Sequence, residues 1–345
     1  MNTRVDTPLT RDADIDAPVI CGPMYPCSNP ELVAAVSNAG GIGVVQPVSL
    51  TYVHGYDFRE GLRFIRSLTD RPIGFNALIE ASSKTYRERM DRWIDIALEE
   101  GVRFFVTSLG KPHDVVRRVH AVGGRVYHDV TSRRWAEKGL DGGVDGLIAV
   151  NRLAGGHADP TDPRALFDEL ADLGVPVVRA GGVATPDDVR EALRTGYAGV
   201  QCGTRFIATP ECTAAPDYKQ ALIDAGADDI VLTERLTGVP VAVIETPWVR
   251  ATGTRAGPLA RWMLRGRRRK HLMRVIYSLR SLRRLKRDAA SSDSSTGYWQ
   301  AGRSVDGIER IESAADVVRS FEEAARSVLP SRNESNPNSS SGEPK

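Results

Sequence analysis

From the N-terminus to Cys202, short runs of β-branched and apolar residues alternate with longer stretches whose apolar positions recur every three to four residues. The short runs predict strands at Pro18–Cys21, Ile42–Gln46, Pro72–Asn76, Arg103–Thr107, Arg125–Asp129, Asp145–Val150, Pro176–Arg179 and Ala198–Cys202. The longer stretches predict helices at Pro30–Asn38, Asp57–Ser67, Lys84–Glu100, His113–Val122, Ser132–Lys138, Pro163–Leu173 and Pro186–Arg194. Start signals support several of them. Thr185-Pro186-Asp187-Asp188 offers an N-cap, a proline at the first helical position and acids in the first turn.

Strict alternation of strand and helix argues for a parallel sheet in an α/β fold, because each crossover must return the chain to the same end of the sheet. Eight such strands can close or lie open. No G-x-G-x-x-G follows the first strand, which counts against an open dinucleotide-binding sheet. Glycine-rich turns instead follow strands seven and eight, where (β/α)8 barrels commonly bind phosphate. A closed barrel is the better reading.

The alternation stops after strand eight. Apolar stretches at Ile230–Leu232 and Val239–Ile244 precede a basic segment. The final pattern, Val305, Ile308, Ile311, Ala315, Val318, Phe321 and Val328, predicts one long amphipathic helix. We read it as the eighth barrel helix, displaced by a smaller inserted lid domain. Residues 1–215 and 298–328 would then form the barrel, 216–297 the lid, and 329–345, rich in Ser, Asn and Pro, a disordered tail.

Composition agrees with a large core: 41% of the 345 residues are hydrophobic and 26% charged. The net charge of +2 hides an uneven distribution. Residues 261–287 carry twelve of the 46 Arg and Lys and no acid, leaving 34 basic against 44 acidic residues elsewhere. Cys21, Cys27, Cys202 and Cys212 lack metal-ligand spacing and read as reduced, buried thiols, so no metal site is expected. The N-terminus lacks a signal-peptide apolar stretch and no run is long enough to span a bilayer, so a cytoplasmic location is expected.

Four segments fall at predicted strand C-termini, the face where such barrels place their chemistry. Gly22-Pro23-Met24 follows strand one, and Pro23 with Met24 offers an apolar, polarizable platform for a planar ring; ordinary core packing would use the same residues. Asn76 ends strand three with an amide that can donate and accept, though a turn-forming Asn is equally ordinary. Ala154-Gly155-Gly156-His157 follows strand six. Its glycines permit close backbone approach, and the imidazole of His157 suits proton transfer near neutrality; a lone histidine also serves structure. Ala180-Gly181-Gly182-Val183 and Gln201-Cys202-Gly203-Thr204, one βα unit apart, offer backbone N–H groups for a phosphate ester, or simply tight turns.

Together these segments resemble the nitronate monooxygenase family, once called 2-nitropropane dioxygenases. The resemblance spans PMYPCSNPELVAAVSNAGGIG (Pro23–Gly43), GFN (Gly74–Asn76), AGGH (Ala154–His157), AGGV (Ala180–Val183), VQCGTRF (Val200–Phe206) and YWQAG (Tyr298–Gly302). It implies a TIM barrel that binds FMN through Asn76, Gly155, Gly181, Gly182, Gln201, Cys202, Gly203 and Thr204. It further implies His157 as the acid/base residue that takes the α-proton of a nitroalkane, with alkyl nitronate and O2 as substrates. The family pattern QG-x-EAGGHRG is not kept: Val150-Asn151-Arg152-Leu153 stands before AGGH and Ala158-Asp159 after it.

A second reading on the same scaffold is an FMN-dependent NAD(P)H enoyl-thioester reductase, whose family shares the barrel and an AGGH histidine. The basic segment, including Arg267, Arg268, Arg269 and Lys270, could then meet an acyl carrier protein or coenzyme A phosphates. Leu272, Val275, Leu279 and Leu282 make a packed helix with a basic outer face the first reading of this segment, ahead of carrier or coenzyme binding; membrane-surface or nucleic-acid contact is the lesser expectation. A third reading, from another class, is a flavin-binding regulatory protein without turnover.

Overall fold

The computed structural model describes residues 4–80, 84–156, 160–236, 239–255, 283–290 and 297–329. Eight parallel strands close into a barrel in chain order: β1 (Val19–Cys21), β2 (Ile42–Val45), β3 (Gly74–Leu78), β4 (Phe104–Ser108), β5 (Arg125–Val130), β6 (Gly146–Val150), β7 (Val177–Ala180) and β8 (Gly199–Cys202), with β8 pairing back to β1. The fold is therefore the expected (β/α)8 barrel. The outer helices are α2 (Pro30–Asn38), α3 (Phe58–Leu68), α4 (Lys84–Glu99), α5 (His113–His120), α6 (Arg133–Leu140), α7 (Pro163–Leu170) and α8 (Pro186–Thr195), following β1 through β7. At α8 the Thr185 hydroxyl accepts from the Asp188 N–H and the Asp188 carboxylate from the Thr185 N–H, the capping box that the sequence suggested.

A further helix, α1 (Pro8–Ala13), was not expected from the pattern. It closes the bottom of the barrel: Leu9, Ala13 and Ile15 pack with Ile20, Ile42, Phe104, Tyr127, Ile148 and Val178 in an interior cluster separate from the larger layer between strands and helices. Room for the Tyr127 ring comes from Gly146, where a Cβ would lie 2.5 Å from the ring. The Tyr127 hydroxyl donates to Asp12 Oδ2 at 2.9 Å.

After β8 come α9 (Thr204–Ile207), α10 (Pro216–Asp224), an antiparallel hairpin of β9 (Ile230–Thr233) and β10 (Val241–Ile244), and α11 (Pro247–Thr252). A helical stretch at 283–290 follows, holding the buried Asp288. The last pattern is not one helix, as the periodicity suggested. Residues Arg303–Gly307 form a 3-10 turn, and α12 runs only from Ala314 to Val328, starting where the Ser313 hydroxyl accepts from the Asp316 N–H. This helix packs against α8 and α2, the place of an eighth barrel helix.

The segment after β8 does not stand apart from the barrel. Tyr218, Leu222, Ile230, Ala242, Ile244 and Trp299 belong to the same apolar cluster as the strand-to-helix layer. All four cysteines are free and buried. No helix among the described residues is long and apolar enough to cross a membrane. The expected tail beyond Leu329 and most of the basic segment, including Arg267–Arg269 and Lys270, lie outside the described residues.

Candidate functional site

Alternation along each strand decides which side chains enter the barrel. On β3, Phe75 and Ala77 join the outer layer, so Gly74 and Asn76 face inward. Asn76 is therefore the middle residue of its strand, two residues earlier than a strand-ending position. On β5, Tyr127 belongs to the interior cluster and Val126 and Val130 to the outer layer, which turns Asp129 inward. On β8, Val200 and Cys202 face outward and Gln201 inward.

These three inward polar residues share one feature. Asn76 Oδ1, Asp129 Oδ1 and Gln201 Oε1 are sealed from solvent and have no hydrogen-bond partner among the described residues. Burying an acceptor without a donor costs about 1–3 kcal/mol, so three at one level of one barrel mark a surface built to meet something else. Asp129 is half-buried as a residue, and loss of solvent around its carboxyl pushes it up to about 7 while the Gln201 side chain pulls it down.

Gly22 borders Gln201: a Cβ there would lie 3.0 Å from Gln201 Cγ, and the Gly22 N–H donates to the Cys202 carbonyl at 2.9 Å. Pro23 and Met24 are half-buried beside it, and the Met24 sulfur lies 3.3 Å from where a Cβ of Gly203 would be. Cys202 turns its thiol into the outer layer, where burial raises its pKa, so it would meet a ligand only through its backbone.

The turn after β7 is held from three sides. Gly181 and Gly182 have φ of 108° and 69°, and a Cβ at Gly181 would lie 2.6 Å from both Asn151 Oδ1 and the Ala154 nitrogen. Only glycine fits there. The fully buried Asn151 donates through Nδ2 to the Gly181 carbonyl at 3.1 Å and accepts from the Leu153 N–H at 2.9 Å. Arg179, outward on β7, donates to the carbonyls of Gly181 and Gly182 at 3.3 and 3.1 Å and pairs with Glu191 on α8 at 2.9 Å. With both carbonyls engaged behind the turn, the N–H groups of Gly182, Gly203 and Thr204 have no protein acceptor among the described residues. The residue that departs from the family pattern at position 151 thus joins the turn after β6 to the turn after β7.

The later YWQAG segment clamps the loop after β6. Gly302 packs on Gly155, its N–H donates to Thr204 Oγ1 at 3.0 Å, and the Arg303 N–H donates to the Leu153 carbonyl at 2.9 Å. From the other side, the Ala242 N–H of β10 donates to the Gly156 carbonyl at 2.9 Å. His157, next in sequence, lies outside the described residues. Among described histidines, His128 is a core residue: it faces outward, contacts Thr107 Oγ1 at 2.8 Å, and burial lowers its pKa to about 4.

Thus the fold brings Pro23, Met24, Asn76, Gly181, Gly182, Gln201, Gly203 and Thr204 to one end of the barrel, with Gly155 at its edge. Sequence reading missed Asp129 and Arg179. Each carried a signal: an acid at an inward alternation position of RVYHD, and an arginine inside the apolar run PVVRA.

Arg284 of the basic segment is not free to serve a partner. It lies 4.5 Å from the ring centroids of both Trp248 and Tyr298, and pairs with the buried Asp288. Arg287 also meets Asp288, and Lys286 donates to the Tyr52 carbonyl at 2.7 Å.

A family model described as nitronate monooxygenase matches residues 6–323. The chain is 31% identical over 273 residues to the nitronate monooxygenase of Pseudomonas aeruginosa, covering 67% of this chain and 77% of that one. It is 30% identical over 244 residues to the (3aS,4S,5R,7aS)-5-hydroxy-7a-methyl-1-oxo-octahydro-1H-indene-4-carboxyl-CoA dehydrogenase of Rhodococcus jostii, covering 70% and 67%. Among solved structures, FabK from Thermotoga maritima superposes with a TM-score of 0.75 at 26% identity, over 93% of this chain and 96% of that one.

Proposed function

The chain belongs to the nitronate monooxygenase family, and on that premise we propose that it is an FMN-dependent oxidoreductase that oxidises alkyl nitronates, or nitroalkanes after proton removal, with O2. The observation that supports a flavin best is the set of unpartnered acceptors on Asn76, Asp129 and Gln201 beside a glycine cradle. These residues fit FMN. Asn76 and Gln201 would meet the polar edge of the ring, Pro23 and Met24 would support its face, and the N–H groups of Gly182, Gly203 and Thr204 would meet the phosphate. Bound FMN would supply the electron chemistry.

The chain's own work is positioning and proton transfer. Asn151 and Arg179 hold the carbonyls of the Gly181-Gly182 turn, whose N–H groups are left without a protein acceptor among the described residues. The hairpin and the YWQAG segment fix the Gly155-Gly156 backbone that leads into His157. His157 is the base that takes the α-proton of a neutral nitroalkane. His157→Ala should therefore retain flavin and lose turnover of the neutral nitroalkane by about 10²–10⁴-fold, while pre-formed ethylnitronate is oxidised at a rate within about tenfold of wild type. Equal loss on both substrates would remove His157 from the proton-transfer role.

The similarity to a carboxyl-CoA dehydrogenase favours one second reading, an acyl-thioester oxidoreductase. Anaerobic bleaching of the flavin band by ethylnitronate but not NADH supports the first reading. Bleaching by NADH alone moves it to an enoyl-thioester reductase serving an acyl carrier protein or CoA ester. Charge reversal at Arg267, Arg268 and Arg269 should then weaken thioester turnover selectively; unchanged kinetics would sink that role for the segment.

A further inference from the structure

One cluster beside the barrel mouth takes no part in that chemistry. The chain leaving β2 makes a single π-turn, Ser49–Val53, and Ser49 Oγ at its start donates to the Met24 carbonyl at 3.2 Å. Such turns occur frequently at functional sites. Three residues on, the Tyr52 ring is 48% exposed. Two cations converge on this residue from separate elements. Arg89 of α4 holds its guanidinium carbon 5.4 Å from the Tyr52 ring centroid and 5.9 Å from that of Trp93. Lys286, from the helical stretch at 283–290, donates to the Tyr52 carbonyl at 2.7 Å.

Most described arginines pair with a carboxylate, but neither Arg89 nor Lys286 does so among the described residues. The nearest acids of α4 are engaged elsewhere, Glu88 by Lys84 at 3.7 Å and Asp91 by Arg118 at 3.3 Å. Residues 261–287, which lead into and include Lys286, contain no acid. Stacking between two rings positions the Arg89 guanidinium without using its N–H groups, and Lys286 keeps two N–H groups after its one bond. Unneutralised cations beside an exposed ring suit a phosphate ester that carries a planar base. The base stacks on the ring and the cations take the phosphate.

We propose that Tyr52, Arg89 and Lys286 bind the phosphorylated adenosine end of a second ligand, a coenzyme A thioester or NADPH, whose reactive end enters the mouth beside Met24. Both ligands carry a phosphate on the adenosine ribose. The proposal rests on the acyl-thioester reading above and deepens it, since nitronate oxidation has no use for such a site.

The test is calorimetric titration of the full chain as purified with three probes. Adenosine 3′,5′-bisphosphate copies the coenzyme A end, adenosine 2′,5′-bisphosphate copies the NADPH end, and adenosine lacks phosphate. Wild type should bind one bisphosphate at least about tenfold more tightly than adenosine. Preference for the 3′,5′ isomer assigns the site to a thioester, and preference for the 2′,5′ isomer to the reductant. Arg89→Gln and Lys286→Gln should each weaken that binding about tenfold and reduce its salt dependence. Tyr52→Leu should weaken it about fivefold or more through lost stacking. Circular dichroism checks that each variant is folded.

Tyr52 and Arg89 lie outside the basic segment. Bisphosphate binding that survives their replacement therefore belongs to that segment and overturns the proposal. So does the lack of saturable binding at about 5 mM probe. Thioester or NADPH turnover with KM unchanged in all three variants overturns the site and leaves the acyl-thioester reading intact. Bisphosphate binding that the variants lose, without any thioester or NADPH turnover, keeps the nucleotide site and removes that reading.

Discussion

The two ends of the barrel interior are built from the same strands and differ only in what alternation places inside. At the bottom, Leu9, Ile20, Phe104, Tyr127 and Ile148 pack into a closed apolar plug whose one phenol is hydrogen-bonded. One level higher, Asn76, Asp129 and Gln201 turn acceptors inward that nothing among the described residues satisfies. The lower layer follows the rule that buried polar groups are paired, and the upper layer breaks it three times. Breaking it is tolerable because the closed ladder and the plug hold the strands regardless. Stability is concentrated at one end, which leaves the other free to be shaped for a ligand.

That division can be attacked from either end. The largest effect should come from Phe104→Ala, which removes a ring from the plug and should cost about 3–5 kcal/mol in urea unfolding. The flavin affinity of the folded fraction should stay within about twofold. A collapse of affinity as well would mean that the two ends are not independent.

The next effect is a pH slope. The folded-state pKa of Asp129 is raised to about 7 from an ordinary 3.8, so ionisation opposes folding. The stability it contributes is fully present below the unfolded-state value and is lost as pH rises through about 7, a difference on the order of a few kcal/mol. Unfolding of flavin-free protein should therefore show a falling limb across that window which Asp129→Asn lacks. A limb unchanged in the variant would assign it to another group.

The smallest effect has the unusual sign. Asn76→Leu replaces an unpaired amide by an apolar group of similar shape and should stabilise the flavin-free protein by about 1 kcal/mol while weakening FMN binding. A destabilised variant would show that Asn76 is a structural residue.

Elements with strong local signals were legible in the sequence. The helix read at Pro30–Asn38 is observed at those bounds, and all eight barrel strands were located, with ends displaced by no more than two residues. The site was legible in part. Glycine turns after β7 and β8 announce themselves, because only glycine accepts φ of 108° beside the Asn151 side chain. Asn76 and Gln201 stood out through the resemblance of their motifs. What stayed hidden depends on partners far away in the chain. The short helix at Pro8–Ala13 is stabilised by the barrel floor it covers rather than by its own six residues. The final periodicity read as one helix because the 3-10 turn at Arg303–Gly307 also buries Val305 and Ile308, apolar residues at a helical interval.

The sequence by itself determined the alternation of strand and helix, the glycine turns and the polarity of each strand position, since these follow from local backbone sterics and side-chain period. Closure of the barrel decided the rest. It put Asp129 of β5 beside Gln201 of β8 and let Arg179 and Asn151 grip one turn from two strands. It also brought residues 298–302 back onto the loop after β6. Those pairings carry no local signature, because each partner satisfies its own strand or turn in ordinary fashion. Only their approach in space leaves acceptors facing inward and shifts a carboxyl toward neutrality.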